Sequence, residues 1–221
     1  MIHQLRTAAV GTALAASVGL ATAGPLSFAG SFGQDDNVQI FNFAVSSAGT
    51  VTLETFGYAG GNDPVRGAVP SGGFDPVFGL FTAAGQLVGV GDDGATRIDP
   101  VTGSALDAFL STTLAPGNYF VALAEYDNFP VGPTFADGFL RSGAGNFTSA
   151  FGCSAGKFCD VNGVSRTPNY DLAIAGANVA AAVPEPSTLA LMSAAFTALL
   201  GFGLGRNRRG GVEGSKSEVA G

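Results

Sequence analysis

In four segments between Val38 and Ile174 the apolar side chains recur at every second position, and that spacing predicts β-structure for the middle of the chain. Val38 and Ile40 oppose Phe41 and Phe43. Val51 and Leu53 face one way while Thr50, Thr52 and Glu54 face the other. Tyr119, Val121 and Leu123 alternate with Phe120, Ala122 and Ala124, and Tyr170, Leu172 and Ile174 close the series. Residues 77–82 and 86–90 flank Ala83-Ala84-Gly85, which predicts a hairpin with its positive φ at the glycine. Residues 45–50 read as a Ser and Gly turn, and residues 60–73 as a long Gly and Pro loop without a period. Composition agrees: 34 glycines, 18 phenylalanines and only 12% charged residues in 221 suit short strands and tight turns better than a helical bundle. No internal repeat is present, so the expectation is one all-β domain over residues 24–178.

The two ends follow other rules. Residues 1–23 carry Arg6 and no acid, then a small apolar run from Val10 to Leu20. Ala21-Thr22-Ala23 follows, the small-x-small pattern of a signal peptide cut before Gly24. That cut would remove His3, the sole histidine. At the far end, residues 179–188 read as a linker holding Val183, Pro184, Glu185 and Pro186. Residues 189–205 read as a transmembrane helix, and residues 206–221 as a basic cluster (Arg206, Arg208, Arg209) with a cytoplasmic tail. The 18 residues from Thr188 to Gly205 span about 27 Å as a helix, close to the hydrocarbon thickness of a bilayer. Arginines stay on the cytoplasmic side, which places everything before Pro184 outside.

Pro184-Glu185-Pro186, then the apolar span, then the arginines: this order resembles the PEP-CTERM sorting signal of exported proteins in Gram-negative bacteria that make exopolysaccharide. The resemblance implies an exosortase as partner, membrane anchoring that is transient, and a destination at the cell surface or in the extracellular matrix. The two prolines hold the motif extended and leave Glu185 as a single readable charge. The middle of the chain carries a second likeness. Gly73-Phe74-Asp75-Pro76-Val77, Leu80-Phe81, Gly85-Gln86-Leu87, Asp92-Asp93-Gly94 and Leu114-x-x-Gly117-x-Tyr119-x-Val121 resemble the bacterial pre-peptidase C-terminal domain. With Tyr126-Asp127-Asn128-Phe129 and Phe158-Cys159-Asp160, the chain is also similar to uncharacterised proteins bearing the same tail. These resemblances imply an antiparallel jelly-roll-like β-sandwich that serves as a binding or accessory module rather than a catalytic one.

Charge and residue types narrow the chemistry. Residues 24–178 set five cationic side chains against fourteen acidic ones, a net charge of −9, which predicts an acidic surface. Nucleic acid is excluded as a partner, because phosphate neutralisation needs clustered Lys and Arg. Without histidine the mature chain can build neither a Ser-His-Asp triad nor a His-ligated zinc site. Carboxylates alone run glycoside hydrolysis, and Asp75, Asp92, Asp93 and Glu125 are the possible members of such a pair. Cys153 and Cys159 are expected to form a local disulfide in an oxidising compartment, with metal ligation as the other reading. Asp35 and Asp36, with Asp92 and Asp93, offer loop carboxylates to a calcium ion; the competing reading is turn formation through Asx hydrogen bonds. Tyr58, Phe74, Tyr126 and Phe129 are either a stacking surface for extracellular polysaccharide or core. Asn146-Phe147-Thr148 spells a glycosylation site that has no meaning in a bacterial context.

Overall fold

The computed structural model describes residues 23–182. The sorting-motif residues Val183, Pro184, Glu185 and Pro186, the predicted membrane helix and Arg206, Arg208 and Arg209 lie outside them, as does the leader up to Thr22. Among the described residues no helix is long and apolar enough to cross a membrane.

Among the described residues eleven strands form in chain order: β1 Leu26–Ser31, β2 Gln39–Val45, β3 Gly49–Thr55, β4 Gly61–Asp63, β5 Gly67–Val69, β6 Pro76–Thr82, β7 Leu87–Asp93, β8 Ala108–Leu114, β9 Gly117–Glu125, β10 Asn169–Ala175 and β11 Val179–Ala181. Nine of them make one antiparallel sheet in the order β1-β10-β3-β8-β7-β6-β9-β2-β11, while β4 and β5 pair only with each other. The sheet folds over at β7. Its first part pairs with β6 (Phe78↔Gly91), and its last two residues switch to β8 (Asp92↔Phe109, Asp93↔Ala108). The two end strands nearly meet, with Gly24 N donating to Val179 O at 2.7 Å, so the sandwich is almost a closed barrel.

The period-two residues point where their spacing requires. Phe41, Phe43 and Val45 of β2, Val51 and Leu53 of β3, Val121 and Leu123 of β9, and Leu172 and Ile174 of β10 meet in one core between the two halves. Each such side chain contributes about 1.5–3 kcal/mol when fully buried. The expected hairpin joins β6 to β7, and Gly85 takes φ +79° there, a conformation that a side chain would strain. The loop predicted over residues 60–73 instead contains the β4–β5 hairpin. Val179–Ala181, read as linker, is a strand paired to β2 (Val179↔Val45).

One face that alternation would leave wet is covered. Val77, Phe81, Ala122 and Ala124, on the outer side of β6 and β9, pack under Phe129, Phe135 and Phe139. The covering segment is pinned by backbone bonds from Phe135 N to Gly85 O (2.8 Å) and from Leu87 N to Pro133 O (2.8 Å). β6 is therefore buried on both faces, and the end of β9 down to Glu125 is enclosed with it.

Candidate functional site

The acidic surface expected from the charge count is corrected by the structure: eight of the fourteen acids are buried, namely Asp35, Asp63, Asp75, Asp99, Asp107, Glu125, Asp160 and Asp171. The physical reason is that loop backbones need acceptors, and a buried aspartate supplies several at once. Asp107 accepts from Thr55 Oγ1 (2.9 Å), Tyr58 N (3.1 Å) and Ala59 N (2.9 Å). Asp160 accepts from Tyr58 Oη (2.9 Å), Asn162 N (2.9 Å) and Val164 N (3.0 Å). Asp35 accepts from Asn146 N and from Thr148 N and Oγ1 (2.9 and 2.6 Å), which ties the 34–37 turn to the 3-10 turn Phe147–Phe151.

These placements bear on the expected calcium ligands. The oxygens of Asp35 are already engaged, Asp36 is half-buried, and Asp92 and Asp93 sit at the β7 corner. Among the described residues no group of three or more His, Cys, Asp or Glu side chains is placed to hold a metal ion. The expected aromatic platform divides: Tyr58 and Phe74 are core, while Tyr126 and Phe129 are half-buried and pack edge to face.

Asp75 and Glu125 lack what each of the other buried acids has, a hydrogen-bond donor or a cation. Asp75 Oδ1 and both oxygens of Glu125 are buried without a hydrogen-bond donor. Asp75 directly precedes β6, whose Pro76 pairs with Glu125, so the β6–β9 register brings the two to the same end of the sandwich. Burial, then the nearby Asp93 and Asp92, pushes the Asp75 carboxyl up to about 9. Burial, then Asp35 and Asp75, pushes Glu125 up to about 10. Both are neutral acids at pH 7, enclosed, and out of contact with solvent-borne substrate.

A concave site lies elsewhere, between the β4–β5 hairpin and the β1–β10 pair. Asp63 closes the hairpin turn by accepting from Val65 N (2.7 Å) and Arg66 N (2.6 Å), and it reaches β1 through Ser27 Oγ (2.8 Å). Arg66 reaches β10 through Asp171 (Nε to Oδ2, 3.2 Å). Burial raises the carboxyl of Asp63, but Arg66 N, Ser27 and Val65 N outweigh it and hold it below its usual value. Asp171 goes the other way, to about 6, through burial first and then through facing Asp63. A cavity of about 290 Å³ remains under the hairpin, bounded by Arg66, Ala68, Ser71, Asn169, Tyr170 and Asp171 among others. Gly73 makes this convergence possible: a Cβ there would lie 2.5 Å from Asn169 O and 2.7 Å from Gly57 O. Nothing in the sequence marked this cleft, since its walls come from residues 29–30, 57–73 and 167–171, joined only by folding.

Cys153 and Cys159 form the expected disulfide, with Cα atoms 5.4 Å apart. Replacing both by serine is expected to cost about 2 kcal/mol, the loop-closure value for so short a ring. Urea denaturation of the two proteins measures it, and an unchanged midpoint would count against a stabilising role.

No curated protein matches the chain. Among solved structures it is similar to the pre-peptidase C-terminal domain of a collagenase from Bacillus anthracis, with 12% identity and a TM-score of 0.33 over 67% of this chain and 87% of that one. A likeness of that size carries no activity across. Residues 182–209 match the model of the PEP-CTERM protein-sorting motif, and the chain thereby carries the address of an exported protein sorted at the membrane with an exosortase as its processing partner.

Proposed function

We propose that this chain is a non-catalytic binding or structural protein of a Gram-negative cell envelope, released to the exopolysaccharide matrix after transient anchoring. Residues 1–23 lead it out, residues 189–205 hold it in the membrane, and the exosortase acts near Val183-Pro184-Glu185-Pro186. The observation that carries this reading is the motif match over residues 182–209. The last described strand ends at Ala181, just before the matched segment, so cutting there would leave every described strand with the folded body. The disulfide suits an oxidising compartment. Enclosure of Asp75 and Glu125 speaks against the other reading, a carboxylate-based glycoside hydrolase, because both acids of such an enzyme must flank a sugar.

Processing tests it. In a host with an active exosortase, the wild-type chain is expected to lose its tail and leave the membrane fraction. Pro184→Ala/Glu185→Ala, and replacement of Arg206, Arg208 and Arg209 by alanine, are expected to leave the tail attached. Intact mass and cell fractionation read the result. Full-length protein in the cytosol with reduced thiols would overturn the proposal, and sugar turnover abolished by Glu125→Gln would favour the hydrolase.

A further inference from the structure

We infer that the cleft beneath the β4–β5 hairpin is a binding site for one neutral hexose unit of a polysaccharide; this deepens the reading of the protein as an extracellular binding module and rests on it. Size comes first. A cavity of about 290 Å³ has room for about ten waters, or for one ring-shaped polyol, and lies at the small end of ligand sites. Lining comes second. Ala68, Val69 and Pro70 provide apolar contact, while Ser71 and Asn169 provide neutral hydrogen-bonding groups, matching the C–H faces and O–H edges of a sugar.

Charge decides between ligand classes. Arg66 and Asp171, 3.2 Å apart, offset each other inside the cleft, so neither a cation nor an anion finds an uncompensated partner. An acidic sugar additionally meets the net negative charge that the domain keeps with Asp75 and Glu125 neutral. An apolar ligand would cover the polar groups of Arg66, Ser71 and Asn169 without giving them hydrogen-bond partners. A hydroxyl accepts from Arg66 and exchanges hydrogen bonds with Ser71 and Asn169, and vicinal hydroxyls engage more than one of them at once. The walls are preformed: Gly73 N bonds Gly57 O at 2.8 Å, and Asp63 ties the hairpin to β1, so little ordering accompanies binding.

The test uses the full-length protein and saturation-transfer NMR with the methyl glycosides of glucose, galactose and mannose, and with glucuronate as the charged control. At least one neutral glycoside is expected to give a saturable signal. Ala68→Phe, an exposed hairpin position from which the ring fills the cleft, is expected to weaken it roughly tenfold or more at an unchanged melting temperature. Asn169→Ala, also at an exposed position, is expected to weaken it less. Absence of saturable binding by any neutral glycoside, tighter binding of glucuronate, or an Ala68→Phe protein that binds as well as wild type would overturn the assignment. Failure here with a normally processed tail removes the cleft and leaves export standing; binding by a protein that is never processed does the reverse.

Discussion

Stability of the domain will fall as pH rises from about 6 to about 9, the opposite of the usual behaviour of carboxylates held in ion pairs. Asp75 and Glu125 keep their protons in the folded state up to about 9 and about 10, whereas the unfolded chain releases them near 3.8 and 4.5. Between those limits the folded state binds more protons, so each group's contribution is fully present below the unfolded value and is lost as pH rises toward the folded one. The slope is about 1.4 kcal/mol per pH unit for each group. Asp93 and Asp171, raised to about 6, finish titrating at the lower edge of this window and do not account for its slope. A loss on this order is a large fraction of the stability of a domain, about 5–15 kcal/mol, so the unfolding midpoint is expected to drop in mild alkali. Urea denaturation at several pH values measures the effect, with Asp75→Asn/Glu125→Gln as the control expected to flatten it. A wild-type profile level across the window, or a slope that survives in the double variant, would show that these two carboxyls do not carry the buried protons.

Loss of the Arg166 side chain is expected to cost about 3–5 kcal/mol, the range for breaking a buried ion pair from one side. The guanidinium is enclosed, and four of its N–H groups find acceptors. It bonds Asp99 (Nη1 to Oδ2, 3.1 Å; Nη2 to Oδ1, 3.3 Å), Gly73 O (Nε, 2.9 Å) and Tyr58 O (Nη2, 2.8 Å), and its carbon lies 3.9 Å over the Tyr58 ring. Burial would raise the Asp99 carboxyl, but Arg166 and the Thr102 donors outweigh it and hold it below its usual value. In Arg166→Ala the Asp99 charge stays buried with fewer partners, and the Gly73 segment that walls the cleft loses its anchor. Arg166→Lys is expected to recover only part of the loss, because one ammonium cannot reach Asp99, Gly73 O and Tyr58 O together. Thermal melting of both variants measures this; a cost under about 1 kcal/mol for Arg166→Ala, typical of exposed pairs, would refute the anchoring role.

How these acids and cations would behave was not readable from the chain alone. Asp107 and Asp160 look like ordinary loop aspartates in sequence. Only folding brings Thr55, Tyr58 and Ala59 around the first, and Tyr58, Asn162 and Val164 around the second. Arg66 and Arg166 enter a charge count equally, yet one is half exposed beside Asp171 and the other enclosed by Asp99. Period-two spacing reached the inward faces of β2, β3, β9 and β10, but missed β1, β8 and β11. Those segments are short or rich in Ser, Thr and Ala, and their strand state depends on pairing with neighbours.

By itself, the order of residues determined the all-β class, the hairpin at Gly85, the Cys153–Cys159 bridge and the sorting motif, because each depends on spacing within a few residues or on one contiguous run. Tertiary structure alone decided that most of the acids turn inward, that Asp75 and Glu125 are left without donors, and that a cleft opens beneath the β4–β5 hairpin. These depend on segments a hundred or so residues apart meeting at a few ångströms, and burial, which sets a carboxyl's charge, exists only once they have met.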